Sequence, residues 1–193
     1  VDLDTGELVG ERFRIETPQP ATPDAVAQAV AEVVRHLGWT GPLGVCYPGV
    51  VVDGVVQTAA NVDQSWIGCN AEEIYSKALG GQRVTVLNDA DAAGLAEQRY
   101  GAGRNRNGVV VLLTFGTGIG SAVIHHGMLL PNTEFGHIEV EGKEAEHRAA
   151  ASVMERKGWS YRKWTKQVTK VLVGIGENLT ERARAGRLDP LVG

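Results

Sequence analysis

Four short stretches of this 193-residue sequence carry groups suited to chemistry. The first is Asn88-Asp89, which follows the apolar run Arg83–Leu87 and precedes an Ala-rich segment. A strand end in an open α/β sheet is the usual edge of a binding crevice. The functional reading of the pair gives Asp89 the role of general base toward a hydroxyl, with Asn88 holding the substrate. Phosphoryl transfer asks little more of a protein than an aligned hydroxyl, a base and neutralised phosphate charge. The structural alternative is that Asn88 or Asp89 only caps the following helix.

The second stretch is Thr114-Phe115-Gly116-Thr117-Gly118-Ile119-Gly120. Alternate glycines let consecutive backbone N–H groups turn toward one point, a nest suited to phosphate oxygens. It lacks the Gly-Lys-Ser/Thr of a Walker A loop and does not open a helix as a dinucleotide fingerprint does. A Gly-rich turn between strands also serves structure alone. The third is Glu134-Phe135-Gly136-His137, whose carboxylate and imidazole offer two hydrogen-bonding groups to vicinal hydroxyls of a sugar. No Cys or third His stands at ligand spacing, so no metal site is assigned. The fourth, Asn61 to Trp66, sets polar residues beside an aromatic, which suits a sugar site or any surface loop.

The elements that must position these groups follow from pattern. Val1–Asp4 and Leu8–Ile15 read as strand material around Thr5-Gly6. Val26, Val30, Val33, Val34 and Leu37 recur at helical spacing, with Pro23 and Asp24 in the first turn and Gly38 as the stop. Leu43–Tyr47 is a short strand, and Asp53-Gly54 between valines is a hairpin signal. Asn70 to Glu73 reads as a capping box opening a helix that stops at Gly80-Gly81. A helix runs from Asp89 to about Tyr100, Val109–Phe115 is the most buried-looking strand, and Ser121–His125 is another. His125-His126 reads as an exposed strand end with no assigned function. Past Gly142 the character is helical, with Trp164, Val168, Val171 and Leu172 on one face and Ser160 as cap. Alternating strands and helices argue for an α/β architecture.

Composition narrows the function classes. Apolar residues are 43% and charged residues 22%, the balance of a globular protein. Nineteen Lys and Arg against 23 Asp and Glu leave a net charge of −4, which excludes a general nucleic-acid coat. The charge is uneven: residues 143–170 hold 8 basic and 3 acidic side chains, while residues 1–142 hold 8 and 17. The default reading of the basic run is a solvated helix face, and it is also where an anionic ligand would touch. No apolar run is long enough to span a membrane, and the acidic start is unlike a secretory leader. Cys46 and Cys69 form neither a disulfide framework nor a CxxC pair, so a cytoplasmic location is expected.

Taken in order, Pro48-Gly49, Asn61 with Trp66, Asn88-Asp89-Ala90, Gly116–Gly120 and Glu134-Phe135-Gly136-His137 resemble the ROK family of sugar kinases. The resemblance implies a two-lobed actin/hexokinase-like ATPase fold (ribonuclease H-like), with lobes at 1–89 and 90–193. It implies that Asp89 takes the proton from a sugar 6-hydroxyl and that Asn61, Asn88, Glu134 and His137 bind other hydroxyls. It assigns Gly116, Thr117, Gly118 and Gly120 to the donor phosphates with Mg²⁺, and it suggests a homodimer.

Most of the family follows the Gly-His element with a zinc-binding cysteine cluster, and this sequence has no cysteine after Cys69, so no zinc is expected. Residues 138–161 instead resemble the polyphosphate glucokinases within the family. That resemblance implies glucose as acceptor and inorganic polyphosphate or ATP as donor, and the basic run is compatible with a polyanion. The alternatives are an ATP-dependent hexokinase of the same family and a catalytically weak sugar-binding fragment. A sugar-responsive repressor would need a helix-turn-helix, and none is visible. The phosphate loop expected just upstream of Val1 and a later Gly-rich loop are not matched, and residues 173–193, punctuated by Gly174, Gly176 and Gly186, do not resemble the family. A partial sequence, incomplete at both ends and feebly active or inactive alone, is therefore expected.

Overall fold

The structure is a computed structural model that describes the backbone of residues 1–184 and the side chains of residues 1–176. The described residues pack as two compact units, one formed by residues 1–110 with 123–132 and the other by residues 111–122 with those from 133 on.

In the first unit, Thr22 caps helix α1 (Pro23–His36) by accepting the Ala25 N–H, and proline occupies the first turn, where a missing N–H is harmless. Strand β1 (Leu43–Tyr47) pairs in parallel with β4 (Val84–Asn88), in a register that sets Tyr47 opposite Asn88. Between them lie the hairpin β2 (Val51–Val52) and β3 (Val55–Val56), and helix α2 (Ala71–Ala78). The hairpin turn has φ of 50° at Asp53 and 77° at Gly54, the two positive values a type I′ turn requires. Asn70 caps α2 by accepting the Glu73 N–H at 3.1 Å. Helix α3 (Asp89–Tyr100) follows β4 without a linker.

The core of this unit is built on Trp66, which has no exposed surface and packs with tilted rings against Tyr47 and Tyr75 at 5.4 and 5.7 Å. Its indole N–H donates to the Ala21 carbonyl at 3.0 Å. Burial pushes the Tyr47 and Tyr75 phenols up to about 12 each. Trp66 is therefore a core residue, not part of a surface loop. The strands expected at Val1–Asp4 and Leu8–Ile15 do not form: Asp2 Oδ1 instead accepts the N–H groups of Asp4 and Thr5 at 2.9 Å. Such local side-chain bonds offer the backbone an alternative to a ladder.

Strands β5 (Val109–Phe115), β6 (Ile119–His125) and β7 (Met128–Leu130) form a three-stranded sheet in that order. β5 is an edge strand, with Val109 59% exposed, and the central β6 is the buried one, so the apolar run at 109–115 overstated its burial. In the second unit, short strands β8 (Glu139–Val140) and β9 (Lys143–Glu144) precede helices α4 (Ala145–Ala149), α5 (Ala151–Arg156) and α6 (Tyr161–Arg184). Ile119, Val140, Ala145, Ala149, Val153, Val171 and Ile175 form its core. Leu172 is half exposed, and Ile175, one turn from Val171, takes the inward position instead. α6 runs through Gly174 and Gly176 unbroken; a Cβ on Gly174 would stand 3.0 Å from a Val140 methyl, so that glycine serves close packing. Gly186 lies outside the described residues. Among the described residues, no helix is long and apolar enough to cross a membrane.

Candidate active site

The groups singled out in the sequence fall into two sets, one in each unit. In the first unit, β4 ends at Asn88 and α3 starts at Asp89. Asn88 is buried and its side chain is the helix cap: Oδ1 accepts the N–H groups of Ala90 at 2.9 Å and Asp91 at 3.1 Å, and Nδ2 donates to the Gly49 carbonyl at 3.1 Å. The capping alternative is thus realised at Asn88, leaving one amide hydrogen for a ligand. Asp89 is exposed between buried neighbours, with Oδ1 accepting the Ala90 N–H at 2.8 Å. Asn61 is exposed, and its side chain makes no hydrogen bond among the described residues.

Gly49 is fixed nearby: a Cβ there would lie 2.7 Å from the Thr58 carbonyl oxygen and 2.9 Å from the Tyr47 ring. In the first turn of α3, Asp91 is 1% exposed and accepts the Asn132 N–H on Oδ2 at 2.8 Å. Burial pushes the Asp91 carboxyl above its ordinary value, the Asn132 N–H opposes that shift, and the Asp89 charge adds to it.

In the second unit, Glu134 precedes a 3₁₀ turn (Phe135–His137) and His137 ends it. Buried Ser121 on β6 sets that turn: its hydroxyl donates to the Thr133 carbonyl at 2.6 Å and accepts the Phe135 N–H at 2.9 Å. A Cβ on Gly136 would collide with the Ile119 carbonyl oxygen, so this position admits glycine alone. His137 is exposed, with Nδ1 3.7 Å from Glu144 Oε2. His137, Glu144 and Glu146 bring ligand-capable atoms within 4.8 Å of one another.

The Gly116–Gly120 loop has a geometry other than a nest. Gly116 and Gly118 are not in the left-handed region, and the Gly116 N–H is already donated to the Gly118 carbonyl at 3.0 Å. Ser152 on α5 braces the loop, donating its N–H to the Gly116 carbonyl and its hydroxyl to the Thr117 carbonyl at 2.7 Å. Gly116 and Thr117 are exposed, and Glu146 lies against Gly118, where a Cβ would stand 2.5 Å from its carboxylate.

The basic run divides into two groups. Arg148 and Lys170 are bound to Glu141, at 3.4 and 2.7 Å, and this pairing, Lys170 first, holds the Glu141 carboxyl below its ordinary value. Lys143, Arg156, Lys157, Arg162, Lys163 and Lys166 are exposed and have no carboxylate partner among the described residues. The ammonium groups of Lys157 and Lys163 both lie over the Trp159 ring, at 4.7 and 5.1 Å. Arg162, Lys163 and Lys166 crowd the first turns of α6, where like charges at helical spacing repel and the dipole disfavours cations. Pattern reading missed Ser121, Ser152, Asp91 and Asn132, whose partners are distant in sequence. It also gave no role to Glu144 and Glu146, for which the acidic pair after Lys143 was the available signal.

The family model for the ROK family matches residues 2–153. The chain belongs to the ROK family. It is 70% identical over 175 residues to the polyphosphate glucokinase of Mycobacterium tuberculosis (strain CDC 1551 / Oshkosh), covering 91% of this chain and 66% of that relative. The chain therefore spans just under two thirds of that curated relative's length. Among solved structures, the inorganic polyphosphate/ATP-glucomannokinase of Arthrobacter sp. strain KM superposes with a TM-score of 0.84 at 48% identity, over 91% of this chain and 72% of the other. A ROK family glucokinase from Streptomyces griseus, in complex with glucose and AMPPNP, gives a TM-score of 0.70 at 27% identity, over 97% and 67%. The mixed α/β architecture is that of the ROK sugar kinases, an actin/hexokinase-like fold.

Proposed function

We propose that this ROK chain serves phosphoryl transfer from inorganic polyphosphate, and from ATP, to the 6-hydroxyl of glucose. The observation that carries the reading is Asp89: an exposed carboxylate at the head of α3, held by a buried cap, in a chain 70% identical to a polyphosphate glucokinase. Asp89 accepts the hydroxyl proton as the 6-oxygen bonds to the terminal phosphorus. The bond from that phosphorus to the bridging oxygen breaks, and a polyphosphate shorter by one unit, or ADP, leaves. In the first unit, Asn61 and the remaining amide hydrogen of Asn88 offer donors for sugar hydroxyls; in the second, Glu134 and His137 offer a carboxylate and an imidazole for the same kind of contact. Gly116, Thr117, Gly118 and Gly120 face the donor phosphates.

Mg²⁺, when bound, neutralises phosphate charge, and the carboxylates of Glu144 and Glu146 are hard oxygen donors of the kind it takes. Glu146 against Gly118 places one of them on the proposed donor loop. The exposed cations Arg156, Lys157, Arg162, Lys163 and Lys166, without a carboxylate partner among the described residues, favour polyphosphate over ATP, because a chain with a charge on each phosphate meets more cations than a nucleotide does.

A coupled glucose 6-phosphate assay with polyphosphate and ATP at matched phosphoryl concentration tests the reading. Turnover with both donors, higher kcat/KM for polyphosphate, is expected. Turnover with neither donor in the full-length protein would overturn it.

A further inference from the structure

Asp89 is exposed, so its aim depends on what fixes the backbone beneath it. Two amides do this within the first unit. Asn88 ties the head of α3 to the Gly49 carbonyl directly. The second tie is longer. Asp91, two residues beyond Asp89, accepts the Asn132 N–H at 2.8 Å. The Asn132 side chain in turn grips both backbone groups of Val51, Oδ1 accepting its N–H at 3.1 Å and Nδ2 donating to its carbonyl at 2.8 Å. Asn132 itself has φ of 58°, a left-handed conformation uncommon outside glycine and tolerated best by Asn and Asp.

These bonds have a cost that local folding does not require. Asp91 is 1% exposed, and its Oδ1 is buried without a partner among the described residues. A buried carboxyl with one satisfied oxygen is destabilising relative to an apolar side chain at the same place. The helix cap does not need it either, since Asn88 already accepts the Ala90 and Asp91 N–H groups. What Asp91 adds is the connection from the first turn of α3 to Asn132 and the β2 strand.

We infer that Asp91 is a positioning residue, which through Asn132 and Val51 holds the first turn of α3 so that Asp89 meets the acceptor hydroxyl. The inference rests on the kinase reading for its effect on turnover, and it stands apart from that reading for its effect on backbone order. Misplacing a reacting group by about an ångström can lower turnover about 100-fold.

The test compares Asp91→Ala, Asp91→Asn, Asn132→Ala and the double variant Asp91→Ala/Asn132→Ala in the full-length protein. Asp91→Ala and Asn132→Ala are each expected to lower kcat about 10- to 100-fold with the KM for glucose changed less than about threefold. The double variant should be no worse than the weaker single variant, because both break one tether. Asp91→Asn keeps an acceptor for the Asn132 N–H and should recover kcat to within about threefold of the parent. Amide hydrogen exchange provides the readout independent of activity: Asp91→Ala should speed exchange at residues 89–91 and at Asn132, and Asp91→Asn should not. Unchanged exchange in Asp91→Ala overturns the inference whether or not the protein phosphorylates glucose. Unchanged kcat beside an inactive Asp89→Asn overturns it while leaving the kinase reading intact.

Discussion

The side-chain amide of Asn88 donates to the Gly49 carbonyl at 3.1 Å, joining the head of α3 to the segment that leads into the β2–β3 hairpin. The same side chain caps α3 through two N–H groups. Replacing Asn88 by Ala removes a cap worth about 1 kcal/mol and a buried hydrogen bond worth about as much again. Chemical denaturation of Asn88→Ala should show a loss of about 1–3 kcal/mol. A change below about 0.5 kcal/mol would mean that Asn88 is not the anchor its geometry indicates.

Gly136 tests the second unit. A Cβ there meets the Ile119 carbonyl oxygen, and neither the 3₁₀ turn nor β6 can yield without disturbing Ser121. Gly136→Ala should destabilise the protein by about 1–3 kcal/mol through overpacking. A melt indistinguishable from the parent would show that the turn has room the structure does not.

Asp91 gives stability a pH dependence of known sign. Its folded carboxyl titrates above the ordinary value of 3.8, chiefly because burial disfavours the charged form. A raised pKa means the native state holds its proton more tightly than the unfolded chain. That contribution is fully present below pH 3.8 and is lost as pH rises through the folded value. Asp91→Asn carries no titrating proton, so its Tm relative to the parent should rise across that window and then level off. A Tm difference independent of pH would contradict the raised value.

The Lys157 and Lys163 ammonium groups both lie over the Trp159 ring, with no carboxylate to neutralise them among the described residues. Lys157→Ala/Lys163→Ala should raise the KM for polyphosphate about tenfold and change the KM for ATP less than about twofold, since two solvent-exposed charge contacts of about 0.7 kcal/mol each sum to about 1.4 kcal/mol, a factor of ten. Added salt should weaken polyphosphate binding by the parent more steeply than by the variant. Equal effects on both donors would remove the stripe from donor selection.

Much of the first unit was legible because its signals are local. Pro23 and Gly38 bracket α1, Asp53-Gly54 dictates its turn, and Asn88-Asp89 marks a strand end by residue type alone. The misreadings arise where burial depends on a neighbour far along the chain. Val109–Phe115 has the composition of a buried strand but lies at a sheet edge, and Leu172 fits the helical stripe yet faces solvent. Glycine at 174 reads as a helix breaker until Val140 is seen 3.0 Å from its missing Cβ. The supports of the site were hidden for the same reason: Ser121 reaches Thr133 and Phe135, and Asn132 reaches Asp91 and Val51, at separations with no periodic trace.

The measurement that bears most directly on the proposed chemistry is the turnover of Asp89→Asn in the full-length protein, with polyphosphate as donor and glucose binding followed separately. The amide keeps the shape and hydrogen-bonding reach of the side chain but cannot accept the hydroxyl proton. The expected result is a kcat lowered about 10²- to 10⁴-fold, with glucose affinity within about threefold of the parent. Turnover close to that of the parent would contradict the assignment of Asp89 as the base.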